Sequence, residues 1–98
     1  MPKKQYKLEA KVWRYPALIA WHFVTIPHKQ AVEIQLLFGS KQKGWGSLPV
    51  EVIIGKTRWN TSIFRHRESN SYILPLKSDV RKKEDIYEGD VVNFTLFL

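Results

Sequence analysis

Residues 50–64 decide the fold, and they run VEVIIGKTRWNTSIF. In the first part of this stretch a valine or isoleucine falls at every second position, which is the period of a strand with one buried face. Gly55-Lys56 is a tight-turn dipeptide. After it the alternation resumes, with Trp59 and Ile63 on one side, so a second strand returns along the first. The stretch therefore predicts an antiparallel hairpin.

The same period of two recurs on both sides of the hairpin and predicts further strands. These strands cover residues 6–13, 20–26, 71–76 and 91–98. Apolar residues at helical spacing follow Pro27 and stop at Gly39, which predicts a helix between them. Ser78 is a good N-cap and predicts a second, shorter helix. The order strand, strand, helix, strand therefore occurs twice, once on each side of the hairpin turn.

Two halves with the same order of elements can be related by a pseudo-two-fold axis and can close one barrel, which removes exposed sheet edges. We therefore predict a mostly β fold, namely a single small six-stranded β-barrel, closed or half-open, with two short helices and an internal pseudo-two-fold repeat. One domain is expected over residues 1–98. Pro27 and Pro75 are expected at matching strand-to-helix corners of the two halves.

The composition limits the classes of protein to which the chain can belong. Its 98 residues suit one domain, and the absence of cysteine excludes a disulfide scaffold and thiolate metal sites. No apolar run approaches the ~18 residues of a membrane span, and the charged N-terminal segment leads to no signal peptide. We therefore expect a cytoplasmic protein. The net charge of +7 permits an anionic partner but does not establish one.

The second half contains a strand that meets a proline, a basic helix and a glycine–aspartate turn. The residues are Leu74-Pro75-Leu76-Lys77, Val80-Arg81-Lys82 and Gly89-Asp90-Val91-Val92. This pattern resembles the swapped hairpin of AbrB-type transition-state regulators. In such a turn the glycine supplies a positive φ and the aspartate accepts hydrogen bonds from the turn amides. The resemblance implies, as an alternative function, a DNA-binding protein of the AbrB-like swapped-hairpin type.

A longer series of motifs covers nearly all of the chain. It comprises Trp21-His22-Phe23-Val24 with Pro27, Gly44-Trp45-Gly46-Ser47-Leu48-Pro49-Val50, Ile54-Gly55 with Trp59, Thr61-Ser62-Ile63-Phe64, Tyr72-Ile73-Leu74-Pro75-Leu76-Lys77 and Val80-Arg81-Lys82. The series resembles a bacterial family called domain of unknown function nineteen-zero-five. The resemblance implies a small barrel related to the double-split type and leaves the activity open. One position departs from the family, because Arg65 follows Phe64 where a proline is usual.

One set of residues is the best candidate for a ligand site. Trp59, Thr61 and Ser62 lie on one strand, and Lys77 and Arg81 lie at the next strand-to-helix corner. Cations and hydroxyls that meet at a concave surface bind anionic or polar ligands. The alternative is that Trp59 fills the barrel while the polar groups satisfy strand ends or face water. The ligand hypothesis requires Arg81 to lie within reach of the strand that carries Trp59.

Basic residues gather in three groups, and a second hypothesis rests on them. The groups are Lys3, Lys4, Lys7, Lys11 and Arg14, then Lys41 and Lys43, then Arg65 and Arg67. A basic patch with nearby aromatic residues is typical of nucleic-acid binding and also of a solvated surface. For the DNA-binding alternative the candidate residues are Lys41, Lys43, Arg65 and Arg67. A chain that contains both halves does not need the dimer through which DNA-binding relatives of the double-split type act, so this function ranks second.

The remaining residues give little support to catalysis or metal binding. His22, His28 and His66 lack H-x-H or H-E-x-x-H spacing, and structural or solvated roles are expected for them. No serine lies in a nucleophile elbow, and no glycine-rich loop precedes a helix. We predict no catalytic residue, no metal and no cofactor, and we expect Trp45 to cap the core. The predicted function is a cytoplasmic, non-enzymatic binding or accessory module with an unidentified ligand or protein partner.

Overall fold

The computed structural model describes residues 3–16 and 21–98, and of Trp45 the backbone alone. The strands in these ranges are β1 (Gln5–Lys11), β2 (Trp13–Arg14), β3 (His22–Thr25), β4 (Ser47–Ile54), β5 (Thr57–His66), β6 (Ser71–Pro75) and β7 (Val91–Phe97). The other elements are two α-helices, α1 (His28–Phe38) and α2 (Ser78–Glu84), and two 3-10 turns, Gly39–Lys41 and Gly44–Gly46. The start of the strand predicted at 20–26 and the expected role of the Trp45 side chain lie outside the described residues.

All the described strands form one antiparallel sheet with the order β1-β7-β4-β5-β6-β3-β2. The predicted hairpin is β4 with β5, in which Val50 lies opposite Thr61 and Val52 opposite Trp59. Both valines are buried, and cross-strand partners share a face, so Trp59 and Thr61 face the core side of the sheet. The mostly β class and the central hairpin are therefore confirmed.

The sheet curls into a half-open barrel through a joint at Val12. The two strands at the ends of the sheet order, β1 and β2, are consecutive in the chain and are separated by this residue alone. Val12 is 1% exposed; its N–H donates to the Asp90 carbonyl and its carbonyl accepts from the Gly89 N–H, each at 2.8 Å. The predicted first strand is therefore divided in two, which gives seven strands where six were expected.

The glycine–aspartate turn before β7 has the geometry that its residue types predict. Gly89 adopts φ +91°, a conformation that side-chain-bearing residues rarely take. The Asp90 carboxylate accepts a hydrogen bond from the Tyr87 N–H at 2.8 Å. The turn thus holds the two backbone bonds to Val12 in place, so it stabilises the joint of the barrel as well as the start of β7.

The strand pairing has the two-fold symmetry expected of a repeated half. The two-fold axis exchanges β3 with β6 and β4 with β7, and each of these strands pairs with its own equivalent. The axis also relates the pairing of β1 with β7 to the pairing of β5 with β4. The single strand β5 corresponds to β1 and β2 together, because its first part pairs with β4 and its last part with β6. The predicted pseudo-two-fold repeat is therefore present in the topology.

The hydrogen bonds at the centre of the repeat show which residues are equivalent. The Ile26 N–H donates to the Tyr72 carbonyl at 2.8 Å, and the Leu76 N–H donates to the His22 carbonyl at 2.9 Å. Ile26 therefore matches Leu76, and the residues that follow them, Pro27 and Lys77, both directly precede a helix. The expectation that Pro27 and Pro75 mark matching corners is wrong, because Pro75 ends β6 two positions earlier.

The core lies inside the curl of the sheet and is closed by the inner face of α1. Its fully buried side chains include Val24, Ile26, Ile34, Leu48, Val52, Ile63, Leu74 and Leu96. Phe23 is also buried, but on the outer face of the sheet, where the Trp13 ring lies over it with a centroid distance of 4.9 Å. The sheet thus carries an aromatic layer outside as well as the core inside.

Candidate functional site

A cleft of about 320 Å³ lies where β3, β6 and the start of α2 meet, and we call it the cation cleft. Its lining residues are Trp21, His22, Pro75, Leu76, Lys77, Ser78 and Arg81. The location follows from the central pairing of β3 with β6, which brings the residues around His22 beside the corner between β6 and α2. Residues from two distant parts of the sequence therefore form one concave surface.

Two cations reach this cleft because they are one helical turn apart. Lys77 directly precedes α2, and Arg81 lies four residues further on, so both side chains follow the same side of the helix. The Arg81 Nε donates to the Leu76 carbonyl at 3.1 Å, which holds the guanidinium against the corner. Lys77 is exposed. The cleft thus has one anchored cation and one cation in contact with water.

The remaining lining of the cation cleft is mostly apolar. Leu76 is 2% exposed, and Pro75 lies beside it at the end of β6. The Trp21 ring is 54% exposed and packs on Phe23 with a centroid distance of 6.0 Å. Among the described lining residues there is no carboxylate. An apolar wall beside two cations suits a small organic anion, whose flat body packs on the rings and whose charge meets Lys77 and Arg81.

The structure separates the two parts of the predicted ligand site. Trp59 packs against the core, and its indole Nε1 is buried with no hydrogen-bond partner among the described residues. Thr61 lines a different cleft, together with Lys3 and Pro49, and Ser62 lies opposite Pro49 on the other face of β5. Lys77 and Arg81 share the cation cleft, whereas the three β5 residues do not line it.

The contact between α2 and β5 that the ligand hypothesis requires is made by other residues. The Thr57 Oγ1, at the start of β5, donates to the Glu84 Oε2 at the end of α2, at 2.6 Å. This bond ties the C-terminal end of the helix to the hairpin, while the bond from Arg81 to the Leu76 carbonyl ties its first half to the corner. The helix that follows Lys77 and contains Arg81 is therefore fixed at two points.

A second cleft, of about 470 Å³, continues along α2 from the first. Its lining residues are His22, Arg81, Lys82, Asp85, Ile86, Tyr87 and Glu88. The hydrogen bond and the charge of Asp85 raise the pKa of the exposed Tyr87 hydroxyl. His22 and Arg81 line both clefts, so the two clefts meet at these residues.

The sequence profile of a family described as a domain of unknown function (DUF1905) matches residues 9–96. The chain belongs to this family. None of the curated proteins matches the sequence. The matched range includes every lining residue of the cation cleft, so the cleft lies within the family domain. Within the described ranges, neither helix of this DUF1905 chain has the length and the apolar character needed to cross a membrane.

Two of the residues proposed for DNA binding, Lys43 and Arg65, lie on segments that meet at another corner of this DUF1905 domain. The Lys43 N–H donates to the Ser47 carbonyl at 3.0 Å, and Gly46 packs directly on the Arg65 side chain. Arg65 itself donates to the Asn70 Oδ1 at 2.7 Å, and its guanidinium lies 5.5 Å from the centre of the Tyr72 ring. Arg65 therefore already has two partners in the chain.

The Tyr72 ring under Arg65 joins the corner to the core. Tyr72 is fully buried as a residue, and its hydroxyl donates to the Gln42 side-chain oxygen. Burial raises the pKa of the Tyr72 hydroxyl, and the neighbouring Arg65 charge opposes that rise. The side chains of Lys41, Lys43 and Arg67 are exposed. Of the four cations proposed for DNA binding, Arg65 is therefore engaged within the chain and the other three are exposed to water.

The histidines lie in three different environments. His22 lines both α2 clefts, and His28 is exposed at the start of α1. The His66 Nδ1 is 2.7 Å from the Ser69 Oγ, and its ring lies 5.7 Å from that of Trp13. In the described part of the chain, no three histidine or carboxylate groups come together as metal ligands would.

Sequence reasoning missed Trp21 and His22 as site residues. Trp21 directly precedes β3 and His22 begins it, and only the pairing of β3 with β6 brings them to the corner that Lys77 and Arg81 occupy. The sequence did contain a signal for them. Trp21 and Phe23 are both aromatic and are two positions apart, so they lie on the same face of a strand. Large aromatic residues on the outer face of a strand indicate a surface that packs against something other than the core.

Proposed function

We propose that the protein is a cytoplasmic, non-enzymatic binding module whose cation cleft takes a small organic anion with a flat apolar body. The observation that carries the proposal is the pair Lys77 and Arg81 at one end of a wall formed by Trp21, Pro75 and Leu76.

The cations and the apolar wall of the cleft are both needed for useful affinity. An exposed ion pair contributes only about 0.2–1 kcal/mol, so the cations alone hold an inorganic anion weakly. Covering roughly 60 Å² of an aromatic ring adds about 1.5 kcal/mol, at ~25 cal/mol per Å² of apolar surface. A ligand that has both a ring and a charge is therefore expected to bind about ten-fold more tightly than one that has the charge alone.

The test uses three probes in an NMR titration of the whole chain. Phenyl phosphate carries the ring and the charge, inorganic phosphate the charge alone, and benzyl alcohol the ring alone. We expect phenyl phosphate to bind most tightly and to shift the indole N–H of Trp21 and the backbone amides of Leu76 and Lys77. Equal affinity for all three probes, or shifts confined to other surfaces, would contradict the proposal. Steady release of phenol would contradict the non-enzymatic part, because it would show hydrolysis.

Duplex DNA binding is the second candidate function. It is supported by the net charge of +7 and by the corner at which Lys43 and Arg65 approach each other. We expect only loose, sequence-independent association at low salt, and the combined replacement of Lys41, Lys43, Arg65 and Arg67 by glutamine should flatten its salt dependence. A sequence-specific complex that survives about 200 mM salt would place this function ahead of organic-anion binding.

A further inference from the structure

The two clefts beside α2 form one continuous groove, because His22 and Arg81 line both of them. Lys77 precedes the helix, Arg81 lies at its middle and Asp85 caps its C-terminal end. Each of these three residues lines at least one of the two clefts, so all three border the same surface. We call this surface, from Lys77 to Glu88, the α2 groove.

The α2 groove has opposite charges at its two ends. Lys77 and Arg81 lie at the end near β6, and Asp85 and Glu88 lie at the end near the loop before β7. The floor between them includes the buried side chains of Leu76 and Ile86, which are 2% and 5% exposed. An elongated ligand with a negative end, an apolar middle and a positive end is complementary to this arrangement.

The length of the groove fits three extended residues. From position 77 to position 85 the helix rises about 12 Å, at ~1.5 Å per residue. An extended chain spans ~3.3–3.6 Å per residue, so a tripeptide separates its terminal charges by roughly 10–11 Å.

We propose that the α2 groove binds short free peptides of about three residues, with the C-terminal carboxylate at Lys77 and Arg81 and the N-terminal ammonium at Asp85. The proposal rests on the anion-binding function proposed above: the C-terminal carboxylate supplies the negative charge, and an aromatic side chain on the last residue supplies the flat apolar body that packs on Trp21. Of the two acids, Asp85 receives the ammonium, because the Glu88 carboxylate already has a cation nearby, the Arg14 Nε at 3.6 Å, whereas the Asp85 carboxylate bonds to the neutral Tyr87 hydroxyl.

Lys82 also lines the acidic end and opposes the binding of an ammonium there. It is exposed, so its charge is screened by water and acts at the rim of the groove. Replacing it by glutamine removes a like charge from the neighbourhood of Asp85. The variant Lys82→Gln is therefore expected to bind a free tripeptide slightly more tightly than the unaltered chain, which is the opposite effect to removing Asp85.

The test compares the tripeptide Ala-Leu-Phe, whose last residue carries a ring, with two modified forms by isothermal titration calorimetry. N-acetylation removes the ammonium, and C-terminal amidation removes the carboxylate. We expect each modification to weaken binding about two- to five-fold, the range of one exposed ion pair. In Asp85→Asn the free and the acetylated peptide should bind equally well. Asparagine tolerates the left-handed backbone of this position, where φ is +55°, so the fold is kept.

The matched control is Asp79→Asn, which removes the same charge from an exposed position of α2 outside both clefts. It should leave the difference between free and acetylated peptide unchanged. If acetylation has no effect on the unaltered chain, or if Asp79→Asn abolishes its effect as fully as Asp85→Asn does, the peptide proposal is wrong. Binding of phenyl phosphate tests the anion-binding function separately, because that probe has no ammonium group.

Discussion

Gly46 shows how a single residue without a side chain positions a loop. It adopts φ +64°, and a Cβ atom at this position would lie 2.6 Å from the Arg65 Cβ. The chain therefore passes directly over β5 at this point. Arg65 in turn is held by Asn70 and by the Tyr72 ring. The basic corner depends on this close approach, because a bulkier residue would displace the loop or the arginine.

The variant Gly46→Ala tests this account at the residue scale. We expect it to lower the free energy of unfolding by about 2 kcal/mol, since the left-handed conformation alone costs an alanine about 1–2 kcal/mol. Urea denaturation measures the change. Gly44→Ala is the matched control, because nothing lies within 4 Å of the added carbon and its φ is not positive. If Gly44→Ala lowers the free energy of unfolding as much as Gly46→Ala does, any alanine in this turn is destabilising and the account is contradicted.

At the scale of elements, α2 is a short helix held by its neighbours. Its first half is anchored by the Arg81 bond to the Leu76 carbonyl, and its end is anchored by the bond from Thr57 to Glu84. A helix of this length is not stable alone, so its orientation depends on such contacts and on the buried Val80. The positions of the cleft cations therefore depend on both anchors.

Thr57→Val removes the donor to Glu84 with little change of shape. We expect a loss of about 1 kcal/mol in the free energy of unfolding, together with faster hydrogen exchange in the last turn of α2. Thr61→Val is the matched control on the same strand and the same face, because the Thr61 hydroxyl has no hydrogen-bond partner among the described residues. Faster exchange in α2 of both variants, to the same degree, would argue against the anchor.

At the scale of the molecule, the sequence predicted the features that are formed by residues close together in the chain. The β4–β5 hairpin followed from alternation and a turn dipeptide within one stretch, and the structure has it in the expected register. The division of the first strand at Val12 could not be predicted, because Gly89 and Asp90, which bond to it, come from the other end of the chain. Pro27 and Pro75 were wrongly expected to be equivalent for a similar reason. Which residues of the two halves correspond is decided by the pairing of β3 with β6, which joins distant parts of the chain.

The sequence predicted some residues of the candidate site and missed others, because the site combines neighbouring and distant parts of the chain. Lys77 and Arg81 were identified because their helix and its corner are visible in one segment of sequence. Trp21 and His22 were missed because they reach the cleft only through the pairing of β3 with β6. The β5 residues were grouped with the cations by nearness in sequence, and the helix meets that strand through Thr57 instead. The composition permits an anionic ligand, and tertiary structure determines which cations share a cleft.

The central claim is that the charge of one exposed cation in the cleft holds an organic anion, beyond the general attraction of a chain with net charge +7. The most direct measurement is the Kd of phenyl phosphate for Lys77→Gln and for Lys83→Gln at one ionic strength. Both residues are exposed and both changes remove one positive charge near or on α2, but only Lys77 lines the cleft. The account predicts a Kd about two- to five-fold higher for Lys77→Gln and an unchanged Kd for Lys83→Gln. Equal Kd values for the two variants would contradict it.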